Sequence, residues 1–311
     1  MQLKFKNGDK LPPFGLGTWL SKPDEVYNAV LEALRYGYRH IDCAYIYKNE
    51  VEVGMALDYA FRYGIVKREE LFITSKLWNS DHDPERIENA INRSLSNLQL
   101  KTLDLYLMHW PVAFASGKDI ATEPEELVSL DDVPLSITWE GMDKLRQKGL
   151  TAHIGVSNFN IPKLQQLKDA TNIKPEVNQI ELHPYFQQDE LVAYCQKENI
   201  LVTAYSPLGS RHLIKSEQAI NQHPVIAAVA EKHKCTTSQV LLAWGMQRGT
   251  SVIPKSVNPE RIHENFDALK VKLDNEDMKQ IKTIDKNYRL SNAEFCVLPG
   301  GPYTLKSIWE E

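Results

Sequence analysis

Short runs of β-branched and aromatic residues alternate along this chain with longer segments whose apolar positions recur every three or four residues. Eight such runs stand out, at residues 14–18, 39–44, 71–76, 103–109, 152–157, 176–181, 201–205 and 251–255. Between them lie helix-period segments, among them 24–36, 84–98, 137–148 and 224–234, the first and last opening near Asp or Pro as helices often do. Alternating strands and helices predict a parallel sheet with helical crossovers, and eight such units predict an α/β fold closed into a (β/α)8 TIM barrel. Ahead of the first run, Asn7-Gly8 stands between residues 3–6 and Lys10-Leu11, a hairpin signal that predicts an N-terminal β-hairpin cap. A doubly wound open sheet is the competing architecture. No GxGxxG follows any run, since Gly15-Leu16-Gly17 continues into Thr18-Trp19-Leu20. No repeat array, low-complexity tract or Gly/Ser linker divides the chain, so residues 1–311 read as one domain. Segments 111–134, 206–222 and 291–311 are longer than ordinary connections and are expected to be functional loops on the barrel's C-terminal face.

Composition narrows the class of molecule. Of 311 residues, 42% are hydrophobic and 25% charged, which supplies a large core and excludes a disordered chain. A formal net charge of -5 argues against nucleic acid or an anionic membrane as partner, while leaving room for a local basic pocket. Cys43, Cys195, Cys235 and Cys296 form no CxxC pair and read as free thiols. The opening MQLKFKNGDKLPPF lacks a signal peptide's apolar core and no stretch reaches bilayer length, so a cytoplasmic address is expected.

Catalytic groups of a barrel gather at the carboxyl ends of its strands. The second run passes through Asp42 and is followed by Tyr47, the third ends at Lys76 and the fourth at His109. Any one of these alone is more often a solvated or structural group. Together they place an acid, a phenol, an amine and an imidazole on three neighbouring strands, where a buried lysine would need the anion that Asp42 supplies. A metal-dependent hydrolase needs several histidines and carboxylates at strand ends, yet His109 is the only histidine at any of the eight ends, so no metal is expected.

Gly15-Leu16-Gly17-Thr18-Trp19, residues 38–44 through Tyr47, Ser75-Lys76-Leu77-Trp78 and Leu107-Met108-His109-Trp110-Pro111 resemble the aldo-keto reductase family. So do Gly155-Val156-Ser157-Asn158-Phe159, Asn178-Gln179-Ile180-Glu181, residues 204–210 and Ile253-Pro254-Lys255-Ser256, in the family's order and over nearly the whole chain. The resemblance implies reduction of aldehydes and ketones by NADPH, in the manner of aldose and aldehyde reductases, with Asp42, Tyr47, Lys76 and His109 catalytic and Tyr47 the general acid. Lys76 beside Tyr47 would lower the phenol's pKa, and Asp42 would hold the lysine charged. The resemblance also assigns Thr18, Trp19, Ser206, Leu208 and Ser210 to the cofactor. Ser157, Asn158 and Gln179 would clamp the nicotinamide amide, and Tyr205 would stack on its ring. Lys255, Ser256, Asn258 and Arg261 match the cradle for the 2′-phosphate, with Glu264 and Asn265 on the adenine. Because Asn258 could serve a ribose hydroxyl instead, NADH use is also open.

Trp19, Trp78 and Trp110, with Tyr47 and His109, resemble the family's substrate pocket, whose lip is expected from Phe114, Ile120, Phe295, Val297 and Leu298 on the variable loops. Leu20 stands where relatives often carry a latching lysine, the belt at 206–222 is short, and Ser291 lies near a reactive cysteine of some relatives. The partner is expected to be a small carbonyl compound, and the chain a monomer or weak dimer. A pyridine-nucleotide-binding redox sensor or regulatory subunit on the same barrel is the rival function, since fold does not fix function.

Overall fold

In a computed structural model, which describes residues 3–210 and 219–310, the eight expected runs form eight strands. They are β1 (Leu16–Gly17), β2 (His40–Asp42), β3 (Phe72–Leu77), β4 (Leu103–Met108), β5 (Thr151–Ser157), β6 (Val177–Glu181), β7 (Leu201–Tyr205) and β8 (Ser251–Val252). Each pairs in parallel with the next in chain order. A parallel bridge between Phe14 and Val252 joins the last strand to the first, so the sheet closes into the expected barrel. Three backbone bonds hold this seam, Val252 N–H to Pro13 O (3.0 Å), Gly15 N–H to Val252 O (2.9 Å) and Gly17 N–H to Pro254 O (3.0 Å). The two seam strands are shorter than the runs that predict them. Pro12, Pro13 and Pro254 flank the seam and have no N–H to donate, which cuts the ladder short.

Helices cover the barrel. They are α1 (Pro23–Tyr36), α2 (Glu50–Arg62), α3 (Pro84–Leu98), α4 (Leu135–Gln147), α5 (Ile161–Thr171) and α6 (Asp189–Lys197), then α7 (Pro224–His233) and α8 (Thr237–Gln247) between β7 and β8. After β8 come α9 (Pro259–Phe266), α10 (Asn275–Lys282) and α11 (Leu305–Trp309). Helix starts follow local chemistry: Pro84 opens α3, and Asp83 caps it by accepting from Glu85 N–H at 2.9 Å. Val26, Val30 and Leu34, spaced four apart, turn one face of α1 into the main core beside Val53 and Leu57 of α2. Each such aliphatic side chain contributes about 1.5–3 kcal/mol by leaving water.

The N-terminal hairpin forms, Leu3–Lys4 against Lys10–Leu11, with Gly8 at φ +97° in its turn. Leu3, Phe5 and Leu11 plug the barrel's amino end against Phe72, Leu105, Leu107 and Val177. Phe5 also stacks on His153 at 3.6 Å between ring centroids. With that end sealed, the carboxyl end is the open one. There, segment 111–134 contains a small antiparallel pair, Ala113–Phe114 with Leu127–Val128, tied to the C-terminal segment where Ala113 N–H donates to the Tyr303 hydroxyl at 2.8 Å. Of the belt at 206–222, residues 211–218 lie outside the described residues. Among the described residues no helix is long and apolar enough to cross a membrane, and the four cysteines are free.

Candidate active site

Asp42 ends β2, and the turn Tyr45–Tyr47 that follows folds Tyr47 back over the barrel mouth. Lys76 lies on β3 and His109 follows the last residue of β4. The Lys76 ammonium, 1% exposed, donates to Asp42 Oδ1 at 2.5 Å, to the Cys43 carbonyl at 2.9 Å and to the Tyr47 hydroxyl at 3.3 Å. Burial works against a charged Lys76, but Asp42 and then Tyr47 outweigh it and hold the ammonium above the ordinary lysine value. The second Asp42 oxygen, Oδ2, accepts from Gln179 Nε2 at 2.7 Å, so the carboxylate is satisfied on both sides.

Burial lifts the Tyr47 phenol above its ordinary value, while Lys76 pulls it downward, as expected, but less strongly. Tyr47 is therefore a well-protonated acid, and Lys76 moderates the cost of losing that proton. His109 is held well below the ordinary imidazole value, by burial first and then by the charges of Lys76 and His82, and is neutral near pH 7. Its Nδ1 is buried with no partner among the described residues. An unbonded ring nitrogen costs less as a lone pair than as a stranded N–H, so the hydrogen belongs on Nε2.

These groups open onto a cavity of about 660 Å³ at the carboxyl ends of the strands, within the size range of small-molecule sites. Asp42, Tyr47 and His109 line it, while Lys76 stands behind Tyr47. Trp19, Trp78 and Trp110 line it too, with Ile46, Ile120 and Phe295. Thr18, Ser157, Asn158, Gln179, Tyr205, Ser206, Leu208 and Ser210 also face it. The Tyr205 hydroxyl donates to Asn158 Oδ1 at 2.7 Å, and Asn158 Nδ2 donates to the His109 carbonyl at 3.0 Å, which braces this wall against the proton-donor side. Asn158 holds φ +66°, a left-handed conformation that asparagine tolerates, and its N–H bonds Gln179 O at 3.0 Å.

The cavity also reaches α9. Lys255, Ser256, Asn258, Arg261, Glu264 and Asn265 line it. Asn258 caps α9, its Oδ1 accepting from Arg261 N–H at 2.9 Å, so this oxygen serves the helix. Glu264 accepts from the Thr236 hydroxyl at 2.8 Å. Among the described residues neither Lys255 nor Arg261 has an ion-pair partner, and burial followed by the Arg261 charge, against the pull of Glu25, lowers the Lys255 pKa. Two unpaired cations beside a helix N-terminus make an anion site by the chemistry of the donors.

Three expected pocket residues, Phe114, Val297 and Leu298, are elsewhere. Phe114 is 4% exposed and packs under Trp78 and Phe295, with ring centroids 6.1 and 6.3 Å away. Val297 and Leu298 pack into the same secondary cluster and do not reach the cavity. The chain turns at Glu294–Cys296 and offers Phe295 to the opening in their place. Leu20 is exposed outside the cavity. Asn221, Ser238, Val257, Leu290 and residues 292–294 line it without having been singled out. Val257 was recoverable, since it lies between the cations Lys255 and Arg261; Ser238, the second residue of α8, carried no signal. Among the described residues no group of three His, Cys, Asp or Glu side chains could hold a metal ion.

Known proteins share this arrangement. The profile of the Aldo/keto reductase family matches residues 13–286. An aldo/keto reductase of Synechocystis sp. is 46% identical over 310 residues, covering 98% of this chain and 95% of that protein. Aldo-keto reductase family 1 member A1 of Bos taurus is 46% identical over 287 residues, covering 91% and 88%. The structure of the aldose reductase from Schistosoma japonicum superposes with a TM-score of 0.88 at 42% identity, covering 95% of this chain and 96% of that one. A profile spanning most of the barrel, and relatives similar from end to end, show that this chain belongs to the aldo/keto reductase family.

Proposed function

We propose that the protein reduces aldehyde and ketone carbonyls to alcohols, with NADPH as hydride donor and Tyr47 as proton donor. The observation that carries this reading is the Tyr47 hydroxyl, 3.3 Å from the buried Lys76 ammonium and beside the His109 imidazole, in a cavity that Lys255 and Arg261 also line. When bound, NADPH supplies hydride to the carbonyl carbon. Lys255, Ser256 and Arg261 suit its 2′-phosphate, and Glu264 and Asn265 its adenine. Ser157, Asn158 and Gln179 suit the nicotinamide amide, Tyr205 offers a ring face, and Thr18, Trp19, Ser206, Leu208 and Ser210 complete the set.

The chain's own residues account for the rest of the chemistry. His109 Nε2–H and the Tyr47 hydroxyl converge on the carbonyl oxygen and stabilise the negative charge that develops there. Tyr47 gives its proton to that oxygen, completing the alcohol, and the phenolate left behind faces the Lys76 ammonium that Asp42 keeps charged. Solvent returns the proton to Tyr47 before the next turnover. The indoles of Trp19, Trp78 and Trp110 give the substrate an apolar, water-poor wall.

The Tyr47→Phe variant tests this directly. General acid catalysis contributes on the order of a hundredfold to ten-thousandfold, so single-turnover reduction of an aldehyde should fall by that much while the NADPH dissociation constant changes little. Wild-type-like turnover in the variant would sink the assignment. Absence of turnover with any aldehyde or ketone in the unmodified protein would favour the sensor reading.

A further inference from the structure

Glu181 ends β6 with its carboxylate in the interior, 2% exposed, and it does not line the cavity. A buried carboxylate needs donors, and three are present. His183 Nε2 donates to Oε1 at 2.8 Å, Leu290 N–H to Oε1 at 2.8 Å, and Ser291 N–H to Oε2 at 2.7 Å. His183 Nδ1 is buried with no partner among the described residues, which places the ring hydrogen on Nε2, facing Glu181. Two of the three donors are thus main-chain amides about a hundred residues further along the chain, at the start of the segment whose residues 290–295 all line the cavity.

That segment carries Phe295, which stacks on Trp78 with ring centroids 6.2 Å apart, and Ser291, which lines the cavity together with Tyr205. Its next fixed point is Asn292, whose carbonyl accepts from Trp309 Nε1 at 2.9 Å. Glu181 therefore grips the wall from behind through backbone amides, while Leu290 and Ser291 themselves line the cavity.

We infer that Glu181 is a positioning residue for substrate selection: the buried carboxylate hangs the C-terminal wall of the cavity from β6 and so sets which large carbonyl compounds fit. This rests on reading the cavity as a carbonyl site. Glu181 touches neither the reacting atoms nor Tyr47, Lys76 and His109. Loosening it should move the Michaelis constant of a substrate that reaches the wall and leave a short aldehyde nearly unaffected.

The test joins amide hydrogen exchange with kinetics on the full chain. In the unmodified protein, Leu290 and Ser291 amides should be better protected than those of Asn292 and Ala293; no such difference would overturn the proposal whether or not any variant folds. In Glu181→Gln, which keeps shape but turns an acceptor into a donor, exchange at Leu290 or Ser291 should quicken by about tenfold to a hundredfold, with the barrel strands unchanged. The Michaelis constant for 2-naphthaldehyde should rise by roughly tenfold, while kcat and KM for propanal stay within about twofold. Unchanged exchange at both amides overturns the latch. Faster exchange with equal losses for both aldehydes reduces Glu181 to a structural role and overturns the selection claim. If the unmodified protein reduces neither aldehyde, the functional reading fails, and the exchange arm still decides whether Glu181 holds the wall.

Discussion

Lys76 keeps its charge in a fully buried position because Asp42 lies 2.5 Å from it, and Tyr47, half-buried at the cavity wall, is pushed up by burial more than Lys76 pulls it down. Asp42, Tyr47, Lys76 and His109 were legible in the sequence because they stand at the ends of successive strands and their chemistries complement one another. Glu181 also ends a strand, yet two of its three partners are backbone amides, of residues 290 and 291, which carry no mark in a sequence. Phe114 was misread for a related reason: whether a loop aromatic faces a cavity depends on which other ring stands before it, and here Phe295 and Trp78 do. The electrostatics give a testable pH profile. A phenol raised above its ordinary value stays protonated and able to donate up to pH of about 10, and an imidazole lowered below its own stays neutral down to about 6.5. Reduction at saturating NADPH should therefore be flat between those limits, with the alkaline limb set by Tyr47 and the acid limb, below about 6.5, by His109. A limb near pH 7 in stopped-flow traces of the hydride step would show that Lys76 outweighs burial at Tyr47.

Six of the eight strands lie inside the runs read from the sequence; β5 begins one residue early, at Thr151, and β3 runs one residue past, to Leu77. Burial on both faces of a parallel sheet produces continuous apolar runs, which is why this level of structure was so readable. The paired strands Ala113–Phe114 and Leu127–Val128 went unseen, because two-residue strands have no periodicity to detect. Closure of the barrel depends on a feature that pattern alone does not show. A Cβ on Gly17 would stand 2.8 Å from the Ile253 carbonyl oxygen across the seam of β1 and β8. Backbone cannot yield there as a flexible side chain would, so Gly17→Ala should separate the seam and cost about 1–3 kcal/mol in chemical denaturation. Because Thr18 and Lys255 flank the contact, cofactor affinity should fall along with stability. A variant as stable as the parent would mean that the seam tolerates opening.

Across the whole molecule, charge is distributed against its average. The chain carries a formal net charge of -5, yet the long cavity has aromatic walls around Tyr47 and two cations, Lys255 and Arg261, beside α9. An anionic ligand that reaches both regions has its charged end fixed by the cations and its reacting end by the strand termini, which reduces the orientational cost of reaction. NADPH and NADH differ by a single phosphate, so they separate the two contributions. A hydrogen bond to a charged group is worth about 1.5–3 kcal/mol, and because Arg261 is exposed and screened, the lower part of that range applies. Arg261→Ala should thus weaken NADPH binding by roughly tenfold, measured by fluorescence titration at fixed ionic strength, and leave NADH nearly unchanged. Raising the salt concentration should shrink the gap between the two cofactors in the parent and have little effect in the variant, since a Debye length of about 8 Å at physiological ionic strength shortens further with added salt. Equal losses for NADPH and NADH would mean that Arg261 supports α9 or the adenine, and the phosphate would then have to rest on Lys255 and the N-terminus of α9.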